Sequence, residues 1–136
     1  MLTGCSHNNG GDTRFWGTWK LTSVTVNGTP DESYNGNYFW KFQADVICIM
    51  DIIDEMHQAA WYWGTWSISD NDKYLILNYT HSDDENPAGT GAYAPPSAIH
   101  ITEGCTLLNI LKIGGETMQL SHETSIGLVT YYFEKW

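Results

Sequence analysis

Two similar stretches of sequence decide the fold: Gly17-Thr18-Trp19-Lys20-Leu21-Thr22-Ser23 and Gly64-Thr65-Trp66-Ser67-Ile68-Ser69. Glycine lets a backbone begin a strand tightly and pass close to another element, and the threonine and tryptophan that follow suit a pleated, half-buried surface. The alternative is that two unrelated strands begin alike by chance. Because the likeness extends over six positions rather than three, we interpret the two stretches as comparable strands of one β-structure.

Eight segments have the composition and the alternation of β-strands. In the first segment Trp19 and Leu21 share one face, and a bulge near Thr22-Ser23 would return Val24 and Val26 to that face. The eight segments are predicted at residues 17–26, 38–42, 46–53, 61–69, 74–80, 106–113, 116–122 and 126–135.

The strand over residues 46–53 has two candidate core faces, one of which includes Asp51. Because a strand that borders a core buries one face only, the choice decides which side chains line the interior. We predict that the core face is the other, wholly apolar one: Val46, Cys48, Met50 and Ile52.

The strand over residues 61–69 is predicted to place two tryptophans on the outside. If Trp66 and Ile68 point inward, the alternation turns Trp61 and Trp63 outward. Either the long loop at 81–105 covers these two indoles, or they form a platform for a sugar ring, an apolar ligand or a protein.

Connections suited to antiparallel neighbours join all eight segments, and nothing resembles the crossover helices of a parallel sheet. The predicted fold is therefore all-β, an antiparallel up-and-down β-barrel of about eight strands. An even count lets the last strand pair with the first and removes the sheet edges. If residues 98–102 formed a ninth strand, closure would need a tenth. A β-sandwich is the competing architecture.

Composition limits the classes of function. The chain has 136 residues, enough for one domain, and its 14% of aromatic residues against 16% of charged residues argues against disorder. The formal net charge is −10 without a basic cluster, which excludes nucleic acid as a partner and disfavours an anionic membrane surface. No stretch approaches the roughly 18 apolar residues of a membrane span.

The first residues resemble a localisation signal. Leu2-Thr3-Gly4-Cys5 is similar to the lipobox of bacterial lipoproteins, in which a signal peptide is removed before the cysteine and the thiol is lipidated. The resemblance implies a lipoprotein of the bacterial cell envelope, held at the outer membrane only through a lipid on Cys5. Residues 1–13 are then a lipobox remnant with a polar, flexible tether. A cysteine that has small neighbours by chance is the alternative.

Residues 14–136 resemble the lipocalin-like domain of small bacterial lipoproteins. The residues that carry the resemblance are Gly17-x-Trp19, Trp40-Lys41-Phe42-Gln43-Ala44-Asp45, Gly64-Thr65-Trp66-Ser67-Ile68 and Tyr131-Tyr132-Phe133-Glu134-Lys135. The resemblance implies a barrel with a ligand cavity and a floor closed by Gly17 and Trp19, with the Lys135 ammonium above the indole. Members of this group mostly have no assigned function, so no particular ligand is implied.

If Trp19 marks the closed end, the topology gathers the long loops at the other end, the mouth, where we expect function. These loops are predicted at 27–37, 54–60, 81–105 and 123–125. The candidate ligand-binding residues at the mouth and in the cavity are Tyr34, Tyr38, Trp40, Met50, Ile52, His57, Trp61, Tyr62, Trp63, Tyr93 and His100.

The sequence predicts no catalytic residue, no metal and no cofactor. The acidic run Asp83-Asp84-Glu85-Asn86 lacks the alternate spacing and the glycine of a calcium loop. The histidines at 57, 81, 100 and 122 never fall at close paired spacing, although two or three could converge at the mouth. Neither serine nor cysteine lies in a nucleophile elbow.

Two functions are therefore carried forward. The first is binding of a small, largely apolar molecule in the barrel cavity, without catalysis. The second is a surface accessory module that contacts glycan or an envelope protein through Trp61 and Trp63. Cys48 and Cys105 either pair in an oxidising envelope or stay free as buried thiols, and spacing does not decide between the two.

Overall fold

The computed structural model describes residues 13–52, 59–79 and 95–136, with the backbone alone at positions 59 and 60. Within these ranges one turn of 3-10 helix is present, at Ser97–Ile99, and no helix is long and apolar enough to cross a membrane. The strands are β1 (Gly17–Val26), β2 (Thr29–Pro30), β3 (Tyr38–Gln43), β4 (Val46–Ile52), β5 (Ala59–Ile68), β6 (Tyr74–Asn78), β7 (Cys105–Gly114), β8 (Thr117–Thr124) and β9 (Gly127–Lys135).

Eight of the strands close into one barrel. Neighbouring strands pair antiparallel in the order β1, β3, β4, β5, β6, β7, β8 and β9. The barrel closes because β9 pairs with β1, from Trp19 opposite Lys135 to Val26 opposite Val129. The predicted fold is therefore confirmed. The short β2 lies outside the ring, since it pairs only with the last two residues of β1.

The predicted bulge is present in β1. The register of β1 against β9 shifts between Leu21 and Ser23. Between these two residues the Thr22 hydroxyl donates a hydrogen bond to the carbonyl of Tyr132 at 2.9 Å. Beyond the shift Val24 is buried in the same core as Leu21, so both ends of this long strand contribute apolar side chains to the interior.

The prediction for the core face of β4 is wrong. Ile47 and Ile49 are fully buried in the core, whereas Met50 and Ile52 lie on the outer wall of the barrel and are only half-buried. The register explains the difference, because Ile49 lies opposite the core residue Trp40 and must share its face. Apart from Asp51 at the mouth end, both faces of β4 are apolar, so composition alone could not decide between them.

Residues 98–102 do not form a strand, which leaves the count of eight intact. The 3-10 turn leads into His100, whose φ of 69° lies in the left-handed region. Ile99 and Ile101 on either side of it belong to the buried core. Residues 95–101 therefore enter the mouth of the barrel as a segment that we call the plug.

Trp19 lies in the floor of the barrel beneath an aromatic cover. Its indole Nε1 donates a hydrogen bond to the carbonyl of Phe15 at 2.9 Å. The Phe15 ring in turn packs against Phe42 and Trp66, with ring centroids 5.6 Å apart in both pairs. The residues just before β1 thus close this end of the interior, a role for Phe15 that the sequence did not indicate.

Lys135 completes the floor from outside. Its Nζ lies 4.4 Å from the centroid of the Trp19 ring, the contact that the family resemblance predicts, and donates a hydrogen bond to the carbonyl of Trp16. Gly17 leaves room for this ammonium, because a Cβ at that position would lie 3.0 Å from Nζ. The φ of Gly17, +105°, also suits glycine alone.

The connections at the mouth are longer than those at the floor, as predicted, except that only residues 125–126 join β8 to β9. The short turns at 44–45, 69–73 and 115–116 lie at the end that holds Trp19. The strand ends joined by the longer connections lie at the opposite end, with the plug among them. The mouth is therefore where loops and candidate site residues meet.

Candidate functional site

Side chains fill the interior of the barrel at the floor and also near the mouth. Trp40, Ile49, Leu77 and Leu120 have no accessible surface at all, so none of them borders a void large enough for water. Tyr38 exposes only 2% of its surface. The predicted site residues Tyr38 and Trp40 thus belong to the packed core, and space for a ligand must be sought outside that core.

The barrel wall opens at the mouth between β7 and β8. These strands pair only from Asn109 opposite Ser121 towards the floor. Nearer the mouth, residues 105–108 pair with β6 alone and residues 122–124 with β9 alone. The resulting β7–β8 cleft has a volume of about 720 Å³, within the usual range for a small-molecule site. It is lined by Tyr74, His100, Thr102, Glu103, Cys105, Thr106, Leu107, Asn109 and residues 122–126.

Thr106 gives the cleft an unused hydrogen-bonding group. The residue is 94% buried, and its hydroxyl has no partner among the described residues. Other buried polar atoms share this condition, such as Nε1 of Trp40 and of Trp66, but they lie in the packed core. A buried hydroxyl without a partner is unfavourable, and Thr106 combines such a hydroxyl with a place in the lining of the cleft.

His122 lies at the inner side of the cleft in its neutral form. Burial lowers the pKa of its imidazole, and a hydrogen bond to the backbone of His100 only partly opposes this. The hydroxyl of Tyr131 donates its one hydrogen to the carbonyl of Ile99 at 2.6 Å. Nε2 of His122 lies 2.9 Å from the same Tyr131 hydroxyl, so the imidazole is linked through Tyr131 to the plug.

His100 ties the plug to the loop that follows β2. Its Nε2 lies 2.7 Å from a carboxylate oxygen of Asp31. The hydroxyl of Ser33, and after it the side chain of His100, hold the pKa of the Asp31 carboxyl below its ordinary value. His100 thus lies at the mouth, as the sequence predicts, and it lines the same cleft as His122.

Three of the predicted tyrosines meet on the opposite side of the mouth. The Tyr34 hydroxyl donates a hydrogen bond to the carbonyl of Leu21, and burial raises the pKa of Tyr34 to about 12. Burial is also the main cause of the raised pKa of Tyr38, followed by the nearby Asp51 carboxylate and Tyr62 hydroxyl. Tyr34 and Tyr38 therefore stay protonated, and the Tyr38 side chain bonds to the Asp51 carboxylate on β4.

Trp61 and Trp63 point outward, as the alternation predicts. They expose 54% and 41% of their surfaces, and their rings stack with centroids 6.2 Å apart and an interplanar angle of 9°. Beside them lies a depression of about 440 Å³ on the outside of β3, β4 and β5, which we call the outer groove. It is lined by Thr18, Phe39, Lys41, Gln43, Cys48, Met50, Ile52, Trp61, Trp63 and Trp136.

Four of the sequence predictions concern residues that the structure does not describe. Cys5, His57, Tyr93 and the acidic run at 83–86 lie outside the described residues. Among the residues described, no three His, Cys, Asp or Glu side chains are grouped to hold a metal ion. Cys48 and Cys105 are both free, the first buried and the second exposed, so the structure shows no disulfide between them.

The cleft is the part of the site that sequence reasoning missed. Convergence of histidines at the mouth was one expectation, and His100 and His122 do meet there. Neither the composition nor the length of β7 and β8 indicates the opening between them, because their residues would allow pairing along most of both strands. Only the non-local register reveals it.

Comparison with known proteins supports the fold. No protein family searched matches the sequence, and no curated protein does. A lipocalin-like protein from Bacteroides uniformis is 15% identical, with a TM-score of 0.61 over 90% of this chain and 99% of that one. An uncharacterised protein from Bacteroides eggerthii is 14% identical, with a TM-score of 0.62 over the same shares of the two chains. The chain therefore has a lipocalin-like fold.

Proposed function

We propose that this chain binds a small, largely apolar molecule in the β7–β8 cleft, without catalysis. The observation that carries the proposal is the buried, unpartnered hydroxyl of Thr106 beside an opening in the barrel wall. A barrel that merely packed its core would gain by pairing these strands to their ends and by placing an apolar residue there.

The lining of the cleft indicates the chemistry of the ligand. Leu107 and Ile126 are exposed, and both offer apolar surface at the opening. Thr106 offers a hydrogen-bonding group deeper in the wall. Glu103 and Glu123 are also in the lining, which disfavours an anion. The ligand is therefore a mostly apolar molecule with one hydrogen-bonding group and no negative charge.

The test uses the neutral fluorescent probe N-phenyl-1-naphthylamine, which has one N–H group. Thr106→Val keeps the shape of the side chain and removes the hydroxyl, and we expect it to weaken binding about fivefold, as for one hydrogen bond of roughly 1 kcal/mol. Thr25→Val is the matched control, because Thr25 is also buried with an unpartnered hydroxyl but lies on β1. Equal probe affinity for both variants and the unmodified chain would contradict the proposal.

The proposal extends to the place where binding occurs. A lipid on Cys5 would hold the barrel at the bacterial cell envelope through residues 6–13, a role supported by the lipobox-like sequence before it. In its own bacterium the protein should partition into the detergent phase, and Cys5→Ser should move it to the aqueous phase. Partitioning that is indifferent to this substitution would argue against a lipid anchor.

A further inference from the structure

We propose that the outer groove is a second binding site, for a small anion that carries a flat ring. This site lies on the wall formed by β3, β4 and β5, whereas the proposed cleft lies between β7 and β8. The two assignments rest on different residues and do not depend on each other.

Aromatic side chains form two walls of the groove. The stacked pair of Trp61 and Trp63 stands over β5. On the other side the backbone N–H of Trp136 bonds to the carbonyl of Thr18, and its ring packs edge-on against Phe39 with centroids 4.9 Å apart. Since β1 and β5 are separated by three strand spacings, the walls are about 14 Å apart at most. A flat ring fits between such walls and finds aromatic faces to pack against.

The middle of the groove is positively charged although the protein is strongly acidic. Lys41 lies between Thr18 on β1 and Cys48 on β4. No Asp or Glu is among the lining residues, and no carboxylate of the described chain forms an ion pair with Lys41. Against a net charge of −10 for the whole chain, this local sign favours an anion.

The base of the groove adds no competing negative charge. Cys48 is buried, and burial raises the pKa of its thiol to about 11, with the nearby Lys41 only partly opposing the shift. The thiol therefore stays neutral, and Lys41 keeps its free charge for a ligand. An adjacent thiolate would otherwise have satisfied the ammonium.

Polarity changes along the groove in the order that such a ligand needs. Lys41 and Gln43 lie towards the floor of the barrel, with Thr18 beside them. Met50, Ile52 and Trp61 lie towards the mouth. A ligand with its ring at the apolar end would place its anionic group near the Lys41 ammonium, which is how small-molecule sites commonly combine apolar surface with a few polar groups.

The test uses 1-anilinonaphthalene-8-sulfonate, a flat aromatic anion. Lys41→Met removes the charge and keeps the length of the side chain, and we expect it to weaken binding about fivefold, the upper range for an exposed ion pair. Trp63→Ala should weaken binding about tenfold through lost ring contact. Trp63→Phe, which keeps a ring, should weaken it less, and circular dichroism would check that each variant is folded.

Lys73→Met is the matched control, because it makes the same change in net charge on another wall, where Lys73 lies over the ring of Tyr74. If Lys73→Met weakens binding of the anionic probe as much as Lys41→Met does, the net charge of the protein and not the groove determines the affinity, and the proposal is wrong. A dimer in sedimentation that Trp63→Ala dissociates would overturn it too, as it would make this face a contact between copies. Thr106→Val should leave anionic-probe binding unchanged, so this proposal and the cleft can fail separately.

Discussion

His122 shows how one side chain links the cleft to the stability of the fold. Its Nε2 lies 2.9 Å from the Tyr131 hydroxyl, which donates to the plug at Ile99. Burial keeps the imidazole neutral in the folded state, whereas the unfolded chain protonates it readily. The plug is thus held by a hydrogen-bond chain that acidification opposes.

We predict that stability falls as the pH drops below the ordinary histidine value of 6.5. The pKa of His122 is lowered in the fold, so below 6.5 the unfolded state binds more protons and the free energy of unfolding decreases. The pKa of Asp31 is also lowered, but its contribution is lost only near its ordinary value of 3.8 and below. Melting temperatures between pH 7.5 and 5.5 therefore report on histidine.

The variant that isolates this effect is His122→Gln, since glutamine can donate to Tyr131 without titrating in this range. Its free energy of unfolding should depend less on pH than that of the unmodified chain, by at most about 1.4 kcal/mol per pH unit for one proton, and its melting temperature should follow. His100→Gln provides the comparison on the plug itself. An unchanged pH dependence in His122→Gln would show that His122 does not carry the effect.

At the scale of the element, β1 and β4 show what alternation can and cannot decide. Trp19 and Leu21 fixed one face of β1, and the opposite parity of Val24 and Val26 required a bulge, which is present. In β4 both parities are apolar, and Asp51 made the true core face look unsuitable. The sequence could not show that Asp51 lies at the mouth, where the Tyr38 side chain bonds to it.

Two neighbouring residues of β4 give a direct test of its orientation. Ile49→Ala should lower the free energy of unfolding by about 2–5 kcal/mol, because it leaves a cavity in a core with no room to spare. Met50→Ala, one position along on the outer wall, should cost less than about 1 kcal/mol. Urea unfolding of the two variants measures the difference, and similar losses in both would contradict the assignment of the faces.

At the scale of the whole molecule, the sequence predicts the order of the strands and which end of the barrel is the mouth, because both follow from local signals. The sequence predicts the eight barrel strands, the short turns beside Trp19 and the longer connections at the mouth, although residues 125–126 there form a two-residue turn. It does not predict the cleft or the outer groove, since both depend on which residues lie opposite each other across strands. Residues 105–108 lack a partner on β8, because the two strands pair only from Asn109 opposite Ser121 towards the floor.

The two proposed binding sites lie on different walls of the barrel. Chemical modification of one thiol should therefore affect ligand binding at one site and not at the other. Cys105 is exposed and lines the cleft, whereas Cys48 in the outer groove is buried with a raised pKa, so a maleimide at neutral pH should modify Cys105 selectively. In a Cys5→Ser background, a bulky maleimide label should fill the cleft and lower the affinity for the neutral probe about tenfold or more. The affinity for the anionic probe should change little. Mass spectrometry of the labelled protein, with Cys105→Ser as the unlabelled control, checks the selectivity. Loss of both probes together would mean that the label disturbs the barrel or that the sites are one, whereas loss of the neutral probe alone requires two independent sites on one small barrel.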